Sequence, residues 1–167
     1  MDVHFEHHFS AAADRVIAMY ADEGFARARG VASGAIESDA IVDGDVSSTF
    51  TVAIRRTIPT DGIQPEFRPF VGPSIAVRHT EVWEAPSGGE GDRDGTFAIE
   101  VVGVPAHAAG TLELRRDGEG STIAIAGVVT ATLPFLAGAV AQAVASAMSD
   151  ALTREFAAGD AWLERPS

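Results

Sequence analysis

The chain has no cysteine, no lysine and no asparagine among its 167 residues, and its single tyrosine is Tyr20. Without cysteine there are no disulfides, no thiolate zinc sites and no sulfur nucleophile. Without lysine, all 12 basic residues are arginines, which we read as the codon bias of a GC-rich genome. They stand against 24 acidic residues, for a formal charge of −12. That balance repels phosphate backbones and anionic bilayer surfaces, so neither nucleic acid nor a membrane surface is an expected partner. Chemical motifs are also missing. There is no GxSxG nucleophile elbow, HExxH, Walker A loop or dinucleotide-binding GxGxxG, and no cofactor is expected. The opening MDVHFEHHF lacks the basic and apolar regions of an export signal, which points to the cytoplasm.

What is present describes a globular fold. Hydrophobic residues make up 46% and charged residues 22%, and the length suits one domain spanning residues 1–167. Val3, Phe5, His7 and Phe9 alternate with His4, Glu6 and His8, the period of a half-buried strand. Ser10 is placed to cap a helix running to Tyr20, and residues 22–29 suit a second short helix. Six further strands are expected at residues 35–42, 46–58, 75–84, 96–104, 111–116 and 122–132. Asp43-Gly44 and Asp117-Gly118 read as hairpin turns, and residues 61–72 as a loop. The GGEGDRDG stretch, residues 88–95, is glycine-rich but acidic, so it reads as a turn and not as a phosphate cradle. A long helix over residues 136–163 ends the chain.

The uncharged stretch that runs from Gly120 to Ser149 contains LPFLAGAVAQAVASAMS, yet it does not read as a membrane span. A span needs roughly 20 strongly apolar residues. Here Pro134 breaks the run, and Gln142, Ser146 and Ser149 continue through Thr153, Asp160 and Glu164 as one polar helix face. Opposite lie Leu136, Val140, Val144, Met148 and Leu152, the apolar stripe of a helix lying on a core. Glu155 falls inside that stripe, where a carboxylate needs a partner or a place at the rim in solvent.

Polar residues also interrupt apolar strand faces. Phe50, Val52 and Ile54 share a face with Arg56; Val77 and Trp83 share one with His79 and Glu81. Phe97, Ile99, Leu112 and Ile125 line cleaner faces. If all of these turn inward, Arg56, His79, Glu81 and Glu155 are the polar groups of an apolar interior. That describes either a small-molecule pocket or a set of buried ion pairs such as Arg56–Glu155 or Arg56–Glu81. His4, Glu6 and His8 could present metal ligands from one strand, but no converging partner is visible and a solvated face explains them. No metal site is expected.

The order strand, two short helices, six strands, long helix gives an α+β fold. It resembles the START-like, or SRPBCC, superfamily, whose helix-grip fold lays a long C-terminal helix over the concave face of a seven-stranded curved antiparallel sheet. Arg55–Gly72 (RRTIPTDGIQPEFRPFVG), Thr80–Glu84 (TEVWE), Val101–Leu114 (VVGVPAHAAGTLEL) and Ala161–Glu164 (AWLE) are similar to an actinobacterial family of unknown function within it. The resemblance implies binding of a small hydrophobic molecule, such as a lipid or polyketide-like compound, between sheet and helix. Wall candidates are Phe50, Val52, Ile54, Arg56, Val77, His79, Glu81, Trp83, Phe97, Ile99, Leu112, Ile125, Val144, Met148, Leu152 and Glu155. Two alternatives stay open. One is a polyketide cyclase or dehydratase using His79 with Glu81 or Glu155; the other is a protein-contact module with a closed core. No catalytic residue is assigned, and the oligomeric state is left undetermined.

Overall fold

A computed structural model describes residues 1–88 and 91–166. Its elements are β1 (Asp2–Phe9), α1 (Ala13–Tyr20), α2 (Glu23–Ala32), β2 (Glu37–Gly44), β3 (Phe50–Pro59), α3 (Arg68–Val71), β4 (Ser74–Trp83), β5 (Arg93–Val101), β6 (Ala106–Asp117), β7 (Gly120–Ala131) and α4 (Ala137–Leu163). The strands form one antiparallel sheet in the order β1-β7-β6-β5-β4-β3-β2. Strands β2 to β7 are consecutive hairpins, and β1 returns to pair with β7 at the far edge. The curved sheet and the long helix over it make the helix-grip fold expected from the sequence. Among the described residues no helix is long and apolar enough to cross a membrane.

Strand parity follows the sequence. Phe50, Val52 and Ile54, Trp83, Phe97, Leu112, Leu114, Ile123 and Ile125 all turn inward and are buried. Several boundaries differ, each for a local reason. Ser10 does not cap α1. The buried Ser121 hydroxyl donates to the Ala11 carbonyl (2.9 Å), keeping that segment out of the helix, which starts after Ala12. Asp22 caps α2 instead, its carboxylate accepting from the Phe25 amide (3.1 Å).

Asp43-Gly44 is not the hairpin turn. The β2–β3 pairing continues to Gly44↔Phe50. Asp45 accepts from the Ser47 amide (2.7 Å) and draws the turn onto residues 45–49. Gly44 sits at φ 105, where a side chain is strained, and Arg93 donates to the Val46 carbonyl beneath the turn. Val46 therefore belongs to the turn and not to β3.

Strand β6 begins five residues before the expected Thr111, because its first half, AHAAG, is made of small residues with weak strand preference. Strand β5 begins at Arg93, inside the expected turn; Gly89 and Glu90 of that turn lie outside the described residues. The expected loop at 61–72 holds the single turn α3.

Helix α4 buries residues at intervals along its whole length. Phe156 and Gly159 are buried, Gly159 lying against Phe9 and Met19, and Trp162 meets Phe25 at 5.4 Å. Its first half buries Val140, Ala141, Ala145 and Met148, and it begins without a side-chain cap.

Candidate functional site

Five charged or titratable side chains meet between sheet and helices. Strand β3 supplies Arg56, β4 supplies His79 and Glu81, α2 supplies Arg29 and α4 supplies Glu155. Each is at most 5% exposed. Their contacts close a ring. Arg29 Nη1 donates to Glu81 Oε1 (2.7 Å) and lies 3.6 Å from Glu155 Oε2. Glu155 Oε1 is 2.7 Å from Arg56 Nη1, and Arg56 Nη2 donates to His79 Nδ1 (3.1 Å). His79 Nε2 completes the circuit 3.1 Å from Glu81 Oε1.

The Arg56 guanidinium has only donors, so His79 Nδ1 must accept and the imidazole proton sits on Nε2, directed at Glu81. Trp83 Nε1 donates to the other oxygen of Glu81 (3.1 Å). Ser33 accepts from Arg56 (3.3 Å) and itself donates to the Gly30 carbonyl (2.6 Å). With His79 neutral, two arginines balance two carboxylates and the ring has no net charge.

Burial and neighbours set the protonation states. Burial holds His79 below its ordinary value, and the nearby Glu81 only partly offsets this. Burial would raise Glu81, but the Arg29 charge and the hydrogen bonds from His79 and Arg29 outweigh it and hold the carboxyl well below the usual range. Burial opposes the charge of Arg29, yet Glu81 and Glu155 overcome that and keep it protonated. Burial pushes the Tyr20 hydroxyl far up.

Both His79 and Glu81 bind a proton more readily in the unfolded chain than in the folded one. Stability is therefore complete above pH 6.5, the ordinary histidine value, and falls with falling pH, first through His79 and then, below 4.5, through Glu81. Urea midpoints measured from pH 8 to pH 4 should fall throughout the acid half. His79→Gln should flatten the loss between pH 6.5 and 5; an unchanged profile in that variant would remove His79 from the account.

Beside the ring lies a cavity of about 20 Å³, room for about one water. Eight of the sequence-derived candidates line it: His79, Glu81, Phe97, Ile99, Leu112, Ile125, Met148 and Leu152. Arg56 and Glu155 belong to the ring but not to the cavity wall. Phe50, Val52, Ile54, Val77 and Trp83 are buried in the same sheet face away from the cavity, and Val144 is half-buried on α4. Sequence reasoning missed Tyr20, Arg29 and Ile123. The signal for Arg29 was its place on the apolar face of α2, in helical register with Phe25, Ala26 and Ser33.

A second, open concavity of about 470 Å³ runs along the surface between β1 and α4. Phe5, His7, Leu152 and Phe156 are among its walls. His7 stacks on Phe156 at 4.7 Å and contacts Asp160 at 3.0 Å, and it is half-buried. Leu152 is the residue shared by groove and cavity. Phe5 and His7 in the groove pair directly with Ile125 and Ile123 in the cavity. On the outer face of β1, His4 and Glu6 lie 3.5 Å apart in solvent, while His8 turns to Thr122 and Asp117.

Residues 4–163 match a family described as protein of unknown function (DUF2505). No curated protein matches the chain. Among solved structures, the protein TTHA0849 of Thermus thermophilus aligns with a TM-score of 0.65 at 13% identity, covering 98% of this chain and 97% of that one. The Zhui aromatase/cyclase of Streptomyces sp. R1128 gives 0.62 at 13% identity, covering 99% and 94%. A STAR-related lipid transfer protein of Xanthomonas axonopodis gives 0.58 at 17% identity, covering 98% and 86%. At these identities the likeness is one of fold.

Proposed function

The chain belongs to the DUF2505 family of proteins of unknown function, and on that premise we propose that residues 1–167 act as one unit that binds a small, largely apolar molecule between sheet and α4. The observation that carries this reading is the ring of buried charges at the edge of an otherwise apolar cavity. A buried ion network is a poor stabiliser, because desolvation offsets its attraction and apolar replacements often do as well. Apolar walls with a few convergent polar groups are what a ligand site needs. The fold neighbours whose names state a role, an aromatase/cyclase and a lipid transfer protein, are consistent with apolar cargo.

In its closed form the interior admits only about one water, so occupancy requires expansion. Helix α4 is tied to the ring through Glu155, whereas among the described residues its first half has no polar tether to the sheet and packs through Val140, Ala141, Ala145 and Met148. Lifting that half, with Leu152 swinging out of the wall, joins the interior to the β1–α4 groove. Native mass spectrometry of the purified protein with a panel of apolar compounds tests the reading. A bound compound is expected, and Leu152→Ala should speed its uptake at a stability cost of about 1–2 kcal/mol. Absence of any adduct would end the proposal.

The cyclase alternative gains nothing from the geometry. Both nitrogens of His79 are engaged, and Glu155 lies outside the cavity wall. The protein-contact alternative is favoured by one observation: Phe135 stands fully exposed at φ 63, beside the exposed Leu136. It predicts no bound small molecule and a partner lost on Phe135→Ser.

A further inference from the structure

From the unpaired donors at the cavity we infer the polar chemistry of the ligand: a neutral molecule that offers one hydroxyl or carbonyl oxygen to Arg29 and extends an apolar tail over Phe97, Leu112, Ile125 and Met148. The inference rests on the interior site proposed above and adds what that site selects.

Arg29 has five N–H donors. Its Nη1 serves Glu81 and faces Glu155, and Tyr20 covers one face of the guanidinium at 5.0 Å. Its Nε and Nη2 have no partner among the described residues, although Arg29 is 2% exposed and lines the cavity. Leaving such donors unpaired in the interior is costly. Arg56 Nε and Glu155 Oε2 also lack a hydrogen bond, although Glu155 Oε2 faces Arg29 Nη1 at 3.6 Å, and neither residue borders the cavity.

The neighbouring acceptors already hold bonds, leaving one lone pair on Glu81 Oε2 and the Tyr20 hydroxyl. Glu81 receives Arg29 and His79 on one oxygen and Trp83 on the other, while His79 accepts from Arg56 and donates to Glu81. Among Arg29, His79 and Glu81, the atoms at the cavity with no partner at all are therefore the two Arg29 donors. A ligand ammonium or amide N–H would share a Glu81 oxygen that already accepts from Trp83, whereas a ligand oxygen meets two donors that have no partner.

Charge then separates a neutral oxygen from a carboxylate. The ring is balanced without the ligand, so a buried carboxylate would leave one uncompensated negative charge. Protonating His79 could match it only by giving up the hydrogen bond from Arg56, on a histidine that burial already keeps neutral. A hydroxyl or carbonyl completes Arg29 and leaves the balance intact. The opposite wall, with Phe97, Ile99, Leu112, Ile125 and Met148, has only apolar side chains to offer the remainder of the ligand.

Octane, octanol and octanoate differ only at the headgroup and separate the possibilities in equilibrium binding at neutral pH. Octanol should bind at least about tenfold more tightly than octane, the effect of a hydrogen bond to a charged donor, and more tightly than octanoate. The double variant Arg29→Met with Glu81→Gln keeps the interior neutral and should erase the preference for octanol over octane. Equal binding of octane and octanol to the wild-type protein would overturn the Arg29 anchor while leaving the interior site standing. Tightest binding by octanoate would overturn the neutral-ligand assignment. Binding of none of the three would overturn the interior site itself, with the cavity holding water only.

Discussion

Glu155→Ala should cost about 3–5 kcal/mol of folding stability, because it leaves Arg56 without its 2.7 Å partner and Arg29 without its second carboxylate, both in the interior. For a chain of this size that corresponds to a fall in Tm of about 6–20 °C. Glu164→Ala, an exposed carboxylate one residue beyond α4, should shift stability by no more than about 0.5 kcal/mol. The pair variant Arg56→Met with Glu155→Leu discriminates further. It removes one charge of each sign and leaves the Arg29–Glu81 pair balanced, so it should be more stable than Glu155→Ala alone. Additive losses in a double-mutant cycle would show that the two residues do not act as a pair.

Trp83→Ala should be comparably severe. The indole is fully buried, with Tyr20 at 5.5 Å and Phe50 at 6.5 Å between ring centres. Gly95 lies opposite it on β5, where a Cβ would come within 3.2 Å of the indole, so the glycine makes room for the ring. Removing a side chain of this size from a core typically costs about 3–5 kcal/mol. Trp83→Phe isolates the polar part. It keeps most of the packing and strips the donor from Glu81 Oε2, for a loss of about 1–3 kcal/mol. Equal stability of Trp83→Phe and wild type in urea unfolding would show that this hydrogen bond contributes nothing to the ring.

The fold was legible because period-two alternation survives in β1, β3 and β4 and because only one segment is long enough to cover the sheet. Strand β6 was partly hidden, since Ala106 to Gly110 carry no alternation. The hairpin after β2 was misplaced because Asp43-Gly44 is followed at once by Asp45-Val46-Ser47-Ser48, and the Asp45 side chain, accepting from the Ser47 amide, sets the turn there.

For the site, residues of like face could be read strand by strand: Arg56, His79, Glu81 and Glu155 stand out as polar positions in apolar stripes. The pairing could not be read. Arg56–Glu155 forms, but Arg56–Glu81 does not, because Arg29 arrives from α2 and takes Glu81. That outcome depends on how a helix docks, which no periodicity encodes. Whether α4 closes over a packed core or over a pocket was equally beyond the sequence. The structure has a nearly filled interior with a water-sized gap at Arg29.

The claim that this interior opens to an apolar ligand is tested most directly by methyl NMR of the protein labelled at its three methionines, Met1, Met19 and Met148. Met148 lines the cavity, Met19 is buried against Phe9 and Gly159 away from it, and Met1 is exposed. On titration with octanol the account predicts a saturable shift of the Met148 methyl while those of Met19 and Met1 stay in place. A Met148 resonance that never moves, at octanol concentrations up to its solubility, would contradict it.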